Sequence, residues 1–203
     1  AVDPFNPNII YAGMWQFRRS AHYFTSGGKS SALYKSVDAG KTWEKLSNDL
    51  PEGELGRIAL SISPVDSSVY VLIESKETAL YRSKDHGKSW EMMNKSRAVD
   101  ERPFYFAKIK ADPVTKNRIY KPGFYLTVSS NGGKHFQSPS LEGGAFHPDV
   151  HDIYISKKDN KLLYIATDGG VFVSRDKGNT WSMIRNIPVS QFYHVSADMK
   201  KPY

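Results

Sequence analysis

The sequence predicts an all-β fold built from about four repeated four-stranded antiparallel sheets, and three observations predict it. The pattern S-x-D/N-x-G-x-[TSH]-[WF] occurs four times, and its copies start 47, 46 and 45 residues apart, at residues 36, 83, 129 and 174. A fixed period of this length is typical of repeat architectures. A Pro-containing turn followed by an aliphatic-Tyr pair recurs between the copies, at 3–11, 63–70 and 112–120. Finally, no stretch shows a sustained helical period of apolar residues.

Each copy of the pattern predicts a β-hairpin turn with an aromatic anchor. The Asp or Asn oxygen can accept backbone N–H groups across a tight turn. The glycine adopts a left-handed backbone that other residues resist, and the aromatic residue enters the next strand, where it can bury a large apolar area. We therefore expect structural roles for these residues and equivalent buried places for the four aromatic ones. The set is Asp38, Gly40, Trp43, Asp85, Gly87, Trp90, Asn131, Gly133, Phe136, Asp176, Gly178 and Trp181.

Strands of three to seven residues are predicted throughout. They lie at 58–63, 69–74, 79–83 and 89–93 in the second copy, at 105–111, 118–120, 125–129 and 135–137 in the third, and at 152–156, 162–166, 171–174 and 180–184 in the fourth. Short, evenly spaced strands with one aromatic motif per unit are typical of a β-propeller with four strands per blade.

A single domain over 1–203 is expected, with approximate blades at 1–50, 51–96, 97–141 and 142–188. An extra inner strand is predicted within 189–203, around 192–197. That strand could complete the first blade and close a four-bladed ring, or the four blades could be part of a larger propeller.

The four turns resemble Asp-boxes, also called BNR repeats, which occur in sialidases, sortilin-type receptor domains and xyloglucanase-like glycoside hydrolases. The chain as a whole is most similar to bacterial sortilin-like or glycosyl-hydrolase-like BNR propellers, through 27–43, 56–59, 151–154, 168–174 and 191–194. The resemblance implies a propeller, usually of more than four blades, and an extracellular or periplasmic location. It leaves three functions open: a carbohydrate-binding module, a glycoside hydrolase with a carboxylate pair on a loop rim, and a protein- or peptide-binding scaffold.

Composition narrows the possible partners. The chain has no cysteine, so we expect neither a disulfide framework nor thiol chemistry. No apolar run approaches the ~20 residues of a membrane span. The net charge of +7 is spread along the sequence, which makes a nucleic-acid partner unlikely. The donors between His147 and Asp152 match no zinc signature, so no metal and no cofactor are predicted.

The candidate ligand site lies on the propeller face opposite the Asp-box turns, where the loops are longest. Long loops in a compact domain are usually functional or disordered. The predicted ligand-binding residues are Trp15, Arg18, Arg19, His22, Tyr23, Arg57, Arg97, Arg102, Tyr105, His147, His151 and His194. Weak catalytic candidates are Asp149, Asp152 and Asp168, none of them in a recognisable catalytic motif. A binding module is therefore favoured over a complete enzyme, with carbohydrate as the leading ligand and peptide as the competitor. An open sheet edge is also expected to associate, either with the rest of a larger propeller or with another copy.

Overall fold

The computed structural model describes residues 1–139, 146–190, 194, 196–198 and 200–201, and these residues form sixteen short strands and two four-residue helices. The first half contains β1 (Ile10–Met14), β2 (Phe17–Arg19), β3 (Phe24–Ser26), β4 (Ala32–Ser36), β5 (Glu44–Leu46), β6 (Ile58–Ile62), β7 (Val69–Ile73), β8 (Ala79–Ser83), β9 (Glu91–Asn94) and α1 (Arg97–Asp100). The second half contains α2 (Pro103–Phe106), β10 (Lys110–Ala111), β11 (Ile119–Lys121), β12 (Thr127–Ser129), β13 (Val150–Ile155), β14 (Leu163–Thr167), β15 (Gly170–Ser174) and β16 (Ser182–Met183).

The strands form four successive antiparallel sheets and one separate hairpin. Sheet 1 has the order β1-β4-β5, sheet 2 β6-β7-β8-β9, sheet 3 β10-β11-β12 and sheet 4 β13-β14-β15-β16. Val2 adds an isolated bridge to β1 through Ile10, and Gln137 adds one to β12 through Val128. Strands β2 and β3 pair only with each other, as a hairpin inserted between β1 and β4. The all-β class and the antiparallel sheets are therefore as predicted, but sheets 1 and 3 have three strands rather than four, and no strand pairing among the described residues closes the sheets into a ring.

The hydrophobic core lies between successive sheets rather than at one centre. Tyr11 and Leu33 of sheet 1 pack with Val69, Val71 and Trp90 of sheet 2. Equivalent apolar clusters join sheet 2 to sheet 3, and sheet 3 to sheet 4. Each sheet thus buries both of its faces only where it has a neighbour on both sides.

The first strands of the sheets converge on a cavity of 630 Å³. It is lined by Ala1 and Val2, and by residues of β6, β10 and β13. Converging inner strands place the loops that precede and follow them around a common rim.

The Asp-box turns are held by side-chain acceptors. In the second turn, Asp85 Oδ1 accepts the Ser89 N–H at 3.0 Å and Asp85 Oδ2 accepts the Ser89 hydroxyl at 2.6 Å, while Ser83 Oγ accepts the Gly87 N–H at 2.7 Å. The same bonds recur at Asp38 and Asp176. These bonds lower the carboxyl pKa, to about 2 at Asp38, and the pKa of Asp85 falls through its bonds to Ser89 and Ser83.

The third copy departs most from its predicted strands. The expected strand at 105–111 is instead α2 followed by the two-residue β10, and the expected strand at 135–137 is reduced to the bridge at Gln137. Pro103 stands at the start of α2, where its fixed φ suits a helix and its missing N–H is not needed. This local geometry overrides the strand propensity of the aromatic residues that follow.

Two further expectations are corrected. Trp90 and Trp181 are buried, at 6% and 8% exposure, and Phe136 is partly buried, but Trp43 is 43% exposed and belongs to none of the apolar clusters of the described residues. In the predicted inner strand within 189–203, the described residues form no strand. Phe192 lies outside the described residues.

Candidate functional site

The face opposite the Asp-box turns carries two large insertions. Because β1 and β4 are antiparallel, the β2–β3 hairpin that follows β1 emerges at the sheet end away from the turn that follows β4. The segment 95–109, with both helices, follows β9 and emerges at the same end. Arg57, directly before β6, also lies at this end. We call these three parts together the rim.

A pocket of 330 Å³ lies between the two insertions. Arg57 lies between its walls: its Nη1 donates to the carbonyls of Phe104 and Tyr105 at 3.1 and 3.0 Å, and its guanidinium carbon is 5.2 Å from the centre of the Trp15 ring. The pocket is lined by Trp15, Phe17, Arg19, Phe24, Arg57, Arg102, Phe104 and Tyr105, and is called the aromatic pocket below. Its walls can therefore offer flat apolar surfaces and cationic donors together.

The Trp15 side chain is held by a chain of hydrogen bonds. Its Nε1 donates to Ser26 Oγ at 3.0 Å, and the Ser26 hydroxyl donates to Glu74 Oε2 at 2.5 Å. Glu74 Oε2 also accepts the Arg57 N–H at 2.7 Å. The hairpin is thereby bonded to sheet 2, and the indole plane has a fixed orientation before any ligand arrives.

The two pocket walls also touch each other. The Phe24 ring, on β3, lies 5.2 Å from the ring of Phe104, on α2. Trp15 stacks on Phe17 at 4.3 Å. Arg102 lies over the Tyr105 ring at 5.1 Å, and its own backbone has a left-handed φ of 47°. Such a backbone is uncommon for a residue other than glycine and is often found at functional sites.

A second pocket of 250 Å³ adjoins the first and shares Arg57 and Tyr105 with it. His151 lines this second pocket, and its Nε2 lies 2.6 Å from Asp168 Oδ1. Lys108 lines it as well and pairs with Asp152 at 3.2 Å. The two pockets adjoin at Arg57 and Tyr105, and together we call them the groove, which extends from the hairpin to the start of β13.

The structure brings together six of the twelve predicted ligand-binding residues along the groove. The groove is lined by Trp15, Arg19, Arg57, Arg102, Tyr105 and His151. The first five line the aromatic pocket, and His151 lines the second pocket. The others line neither pocket: Arg18, His22, Tyr23, Arg97, His147 and His194.

Two of the three carboxylate candidates are engaged in ion pairs. Asp152 pairs with Lys108 and Asp168 with His151. Asp149 has a left-handed φ of 62°, and its N–H donates to the Phe124 carbonyl. No carboxylate lines the aromatic pocket. Over the described ranges, no group of three or more His, Cys, Asp or Glu side chains could hold a metal ion.

The sequence prediction missed Phe17 and Phe104 in the lining and Glu74 behind it. A strand alternates its side chains between two faces, so Phe17 and Arg19 share the pocket face of β2 while Arg18 points away. The two-residue alternation could have favoured Phe17 over Arg18. Glu74 gives no such signal, because its role depends on the distant Ser26.

Comparison with known proteins identifies the repeat. Residues 80–93 match the BNR-Asp box repeat, which confirms the resemblance to BNR/Asp-box propellers. No curated protein matches the chain in sequence.

Several solved structures share the fold. The GH74 enzyme of Niastella koreensis is 21% identical with a TM-score of 0.52, over 77% of this chain and 22% of the enzyme. An ancestral GH74 enzyme is 19% identical with a TM-score of 0.54, over 75% and 21%. YCF48 from Cyanidioschyzon merolae is 16% identical with a TM-score of 0.54, over 90% and 53%.

At these identities the similarity shows the fold alone. The chain spans about a fifth of the length of the two enzymes and about half of YCF48. Within the described part of the chain, no helix has the length and apolar character needed to cross a membrane.

Proposed function

We propose that this Asp-box propeller module binds carbohydrate in the groove on its rim. The observation that carries the proposal is the aromatic pocket, in which the Trp15 indole is fixed by Ser26 and lies against Arg57. The aromatic rings of the pocket lining suit the apolar face of a sugar ring, and a guanidinium suits its hydroxyl groups. By resemblance, the module acts outside the cell or in the periplasm as part of a larger glycosyl-hydrolase-like or sortilin-like protein.

The groove has the size of a ligand site. Ligand pockets usually measure about 300–1,000 Å³, and the aromatic pocket reaches 330 Å³ before the adjoining 250 Å³ is counted. Two connected pockets that share Arg57 and Tyr105 suit an extended ligand of more than one sugar unit.

Catalysis is the second candidate. Glycoside hydrolysis requires two carboxyl groups about 5–9.5 Å apart across the scissile bond. Two of the candidate carboxylates, Asp152 and Asp168, are paired with Lys108 and His151. We therefore favour binding over turnover, and a turnover assay on the same glycans separates the two.

The test is a glycan-array screen of the purified chain, followed by calorimetry with the best glycan. Trp15→Ala should weaken binding about tenfold or more, since central aromatic anchors dominate binding energies. Trp43→Ala is the matched control, because it removes an indole that is partly exposed on the opposite face. Equal affinities for the parent and Trp15→Ala would overturn the proposal. Binding only on a peptide array would instead favour a peptide-binding scaffold.

We also propose a partner for the uncovered face of sheet 1. Trp43 and Val37 are exposed there, at 43% and 63%. Exposed apolar residues at the end of a sheet stack suit another sheet of the same kind. Further blades of a larger propeller, or a second copy, would supply it.

A further inference from the structure

The aromatic pocket has an unbalanced charge. Three guanidinium groups line it, from Arg19, Arg57 and Arg102, and no carboxylate of the described residues does. Among the described residues, none of the three arginines forms an ion pair with an acid. The Glu74 carboxylate, which accepts the Arg57 backbone N–H from behind the lining, forms an ion pair with none of the three arginines within the described part of the chain.

Two of the guanidinium groups are held in place by the walls. Arg57 is fixed by its bonds to two carbonyls and by the Trp15 ring. Arg102 lies over two rings, 5.1 Å from Tyr105 and 5.7 Å from Phe106. Both groups keep further N–H donors that have no protein acceptor among the described residues. Donors fixed in advance cost little entropy when a ligand binds.

The chemistry of the pocket selects a carboxylate. A guanidinium binds a carboxylate through two parallel N–H···O bonds, roughly twice as strong as neutral ones. Like charges gathered beside apolar walls repel each other, and an anion removes that repulsion. A carboxylate attached to a ring with an apolar face satisfies the arginines and the aromatic walls together.

A saccharide fits better than an acidic peptide. A peptide that binds by strand addition needs free carbonyl and N–H partners in its site. The two carbonyls at the wall, of Phe104 and Tyr105, already accept from Arg57. A sugar ring needs only the aromatic faces and the remaining guanidinium donors.

We propose that the aromatic pocket binds an acidic saccharide, in which a uronic-acid ring stacks on the aromatic walls and its carboxylate is bound by Arg19, Arg57 and Arg102. The inference rests on the proposed carbohydrate function and adds the class of sugar. It predicts that acidic glycans bind more tightly than neutral glycans of the same backbone.

The experiment compares matched probes on the intact chain. Oligogalacturonate, oligomannuronate and hyaluronan oligosaccharides are each measured by calorimetry against the same oligosaccharide with its carboxyl groups reduced to neutral hydroxymethyl groups. At least one acidic member should bind about tenfold more tightly than its reduced form, and the difference should shrink as salt increases. If no acidic member binds more tightly than its reduced form, the inference is overturned.

Single substitutions test which residues carry the preference for acidic saccharides. Arg19→Gln and Arg102→Gln should each lower the affinity for the acidic probe more than the affinity for its reduced form, so that most of the acidic preference, measured as the ratio of the two affinities, is lost. Arg175→Gln is the matched control, because Arg175 is exposed in the fourth Asp-box turn, on the opposite face. A preference that survives both pocket variants would also overturn the inference.

The outcomes separate this inference from the proposed function. If neutral probes bind and respond to Trp15→Ala but no acidic preference exists, the module binds carbohydrate and only the acidic specificity fails. If no saccharide of either kind binds, both fail. Acidic peptides that displace the probes with higher affinity than any saccharide would reassign the pocket to a peptide.

Discussion

Trp90 and Trp43 occupy the same place in two copies of one turn, yet Trp90 is 6% exposed and Trp43 is 43% exposed. The turns themselves match, with the same Ser and Asp side chains accepting from the same positions. What differs is the sheet in front. A Cβ added at Gly87 would meet Leu46 and Tyr11 of sheet 1, whereas one added at Gly40 would meet only Trp43 and Ile10 of its own sheet. The motif therefore determines the turn, and the neighbouring sheet determines the burial.

The largest expected effect is the loss of a buried indole. Trp90→Ala should lower the free energy of unfolding by about 3–5 kcal/mol, since it leaves a cavity between sheets 1 and 2. Trp43→Ala should cost about 1 kcal/mol, the typical value for a point substitution. Urea denaturation of both variants checks the contrast. Equal losses would mean that Trp43 is covered in solution, for example by a second copy.

A methyl group at the turn glycines sharpens the same contrast. Gly133 has φ 95°, and a Cβ there would overlap the Leu80 Cδ2 methyl of sheet 2. Gly40 has a similar φ of 90° but ordinary contacts from 3.6 Å. Both Ala variants should lose about 1–2 kcal/mol to backbone strain, and Gly133→Ala should lose about 1–3 kcal/mol more through overpacking. Thermal melts of the two variants measure these losses of stability. An equal loss at both sites would show that Leu80 moves aside freely.

A smaller effect is expected from the turn acceptor. Asp85→Ala leaves the N–H groups of Lys88 and Ser89 without their acceptor and should cost about 1–2 kcal/mol. Glycan binding by the folded protein should be unchanged, because the turn lies on the face opposite the rim. Calorimetry with the best glycan checks this. Lost affinity at an unchanged melting temperature would place the binding site on the Asp-box face.

The smallest effect concerns pH. The pKa of Asp38, Asp85 and Asp176 is lower in the folded chain than the ordinary value of 3.8. A carboxyl group whose pKa is lower in the folded chain stabilises the fold at any pH above its pKa in the unfolded chain. That stability is lost as pH falls from about 4 through about 2. Asp85→Asn should make the melting temperature less sensitive to acid over this range, because an amide carries no charge that acid could remove. Asn131 is such an uncharged residue at the equivalent position of the third turn. An unchanged acid profile would mean that these carboxylates contribute no pH dependence.

The repeat made much of the fold predictable, since local patterns set its turns and most of its strands. The strands at 58–63, 69–74 and 79–83 differ from β6, β7 and β8 by at most one residue. The predictions that failed concern features that depend on tertiary contacts. Helix α2 depends on the insertion that contains it, and the exposure of Trp43 depends on a sheet that its own motif does not encode.

The site was less predictable than the fold. Loop length and residue type pointed to the rim and found Trp15, Arg57 and Arg102. Phe104 lines the pocket only because the hairpin brings Phe24 to 5.2 Å from it, and Glu74 matters only through Ser26. Contacts between separate insertions have no sequence period from which they can be predicted.

The β2–β3 hairpin and the 95–109 segment leave the sheets at the end opposite the turns that hold them. Each can therefore change in length or sequence without disturbing an Asp-box. A library of hairpins exchanged between β1 and β4 would keep the same scaffold while altering one wall of the groove. The chain is, in this sense, already divided into a constant part and an exchangeable part, which makes it a practical framework for selecting new binding specificities.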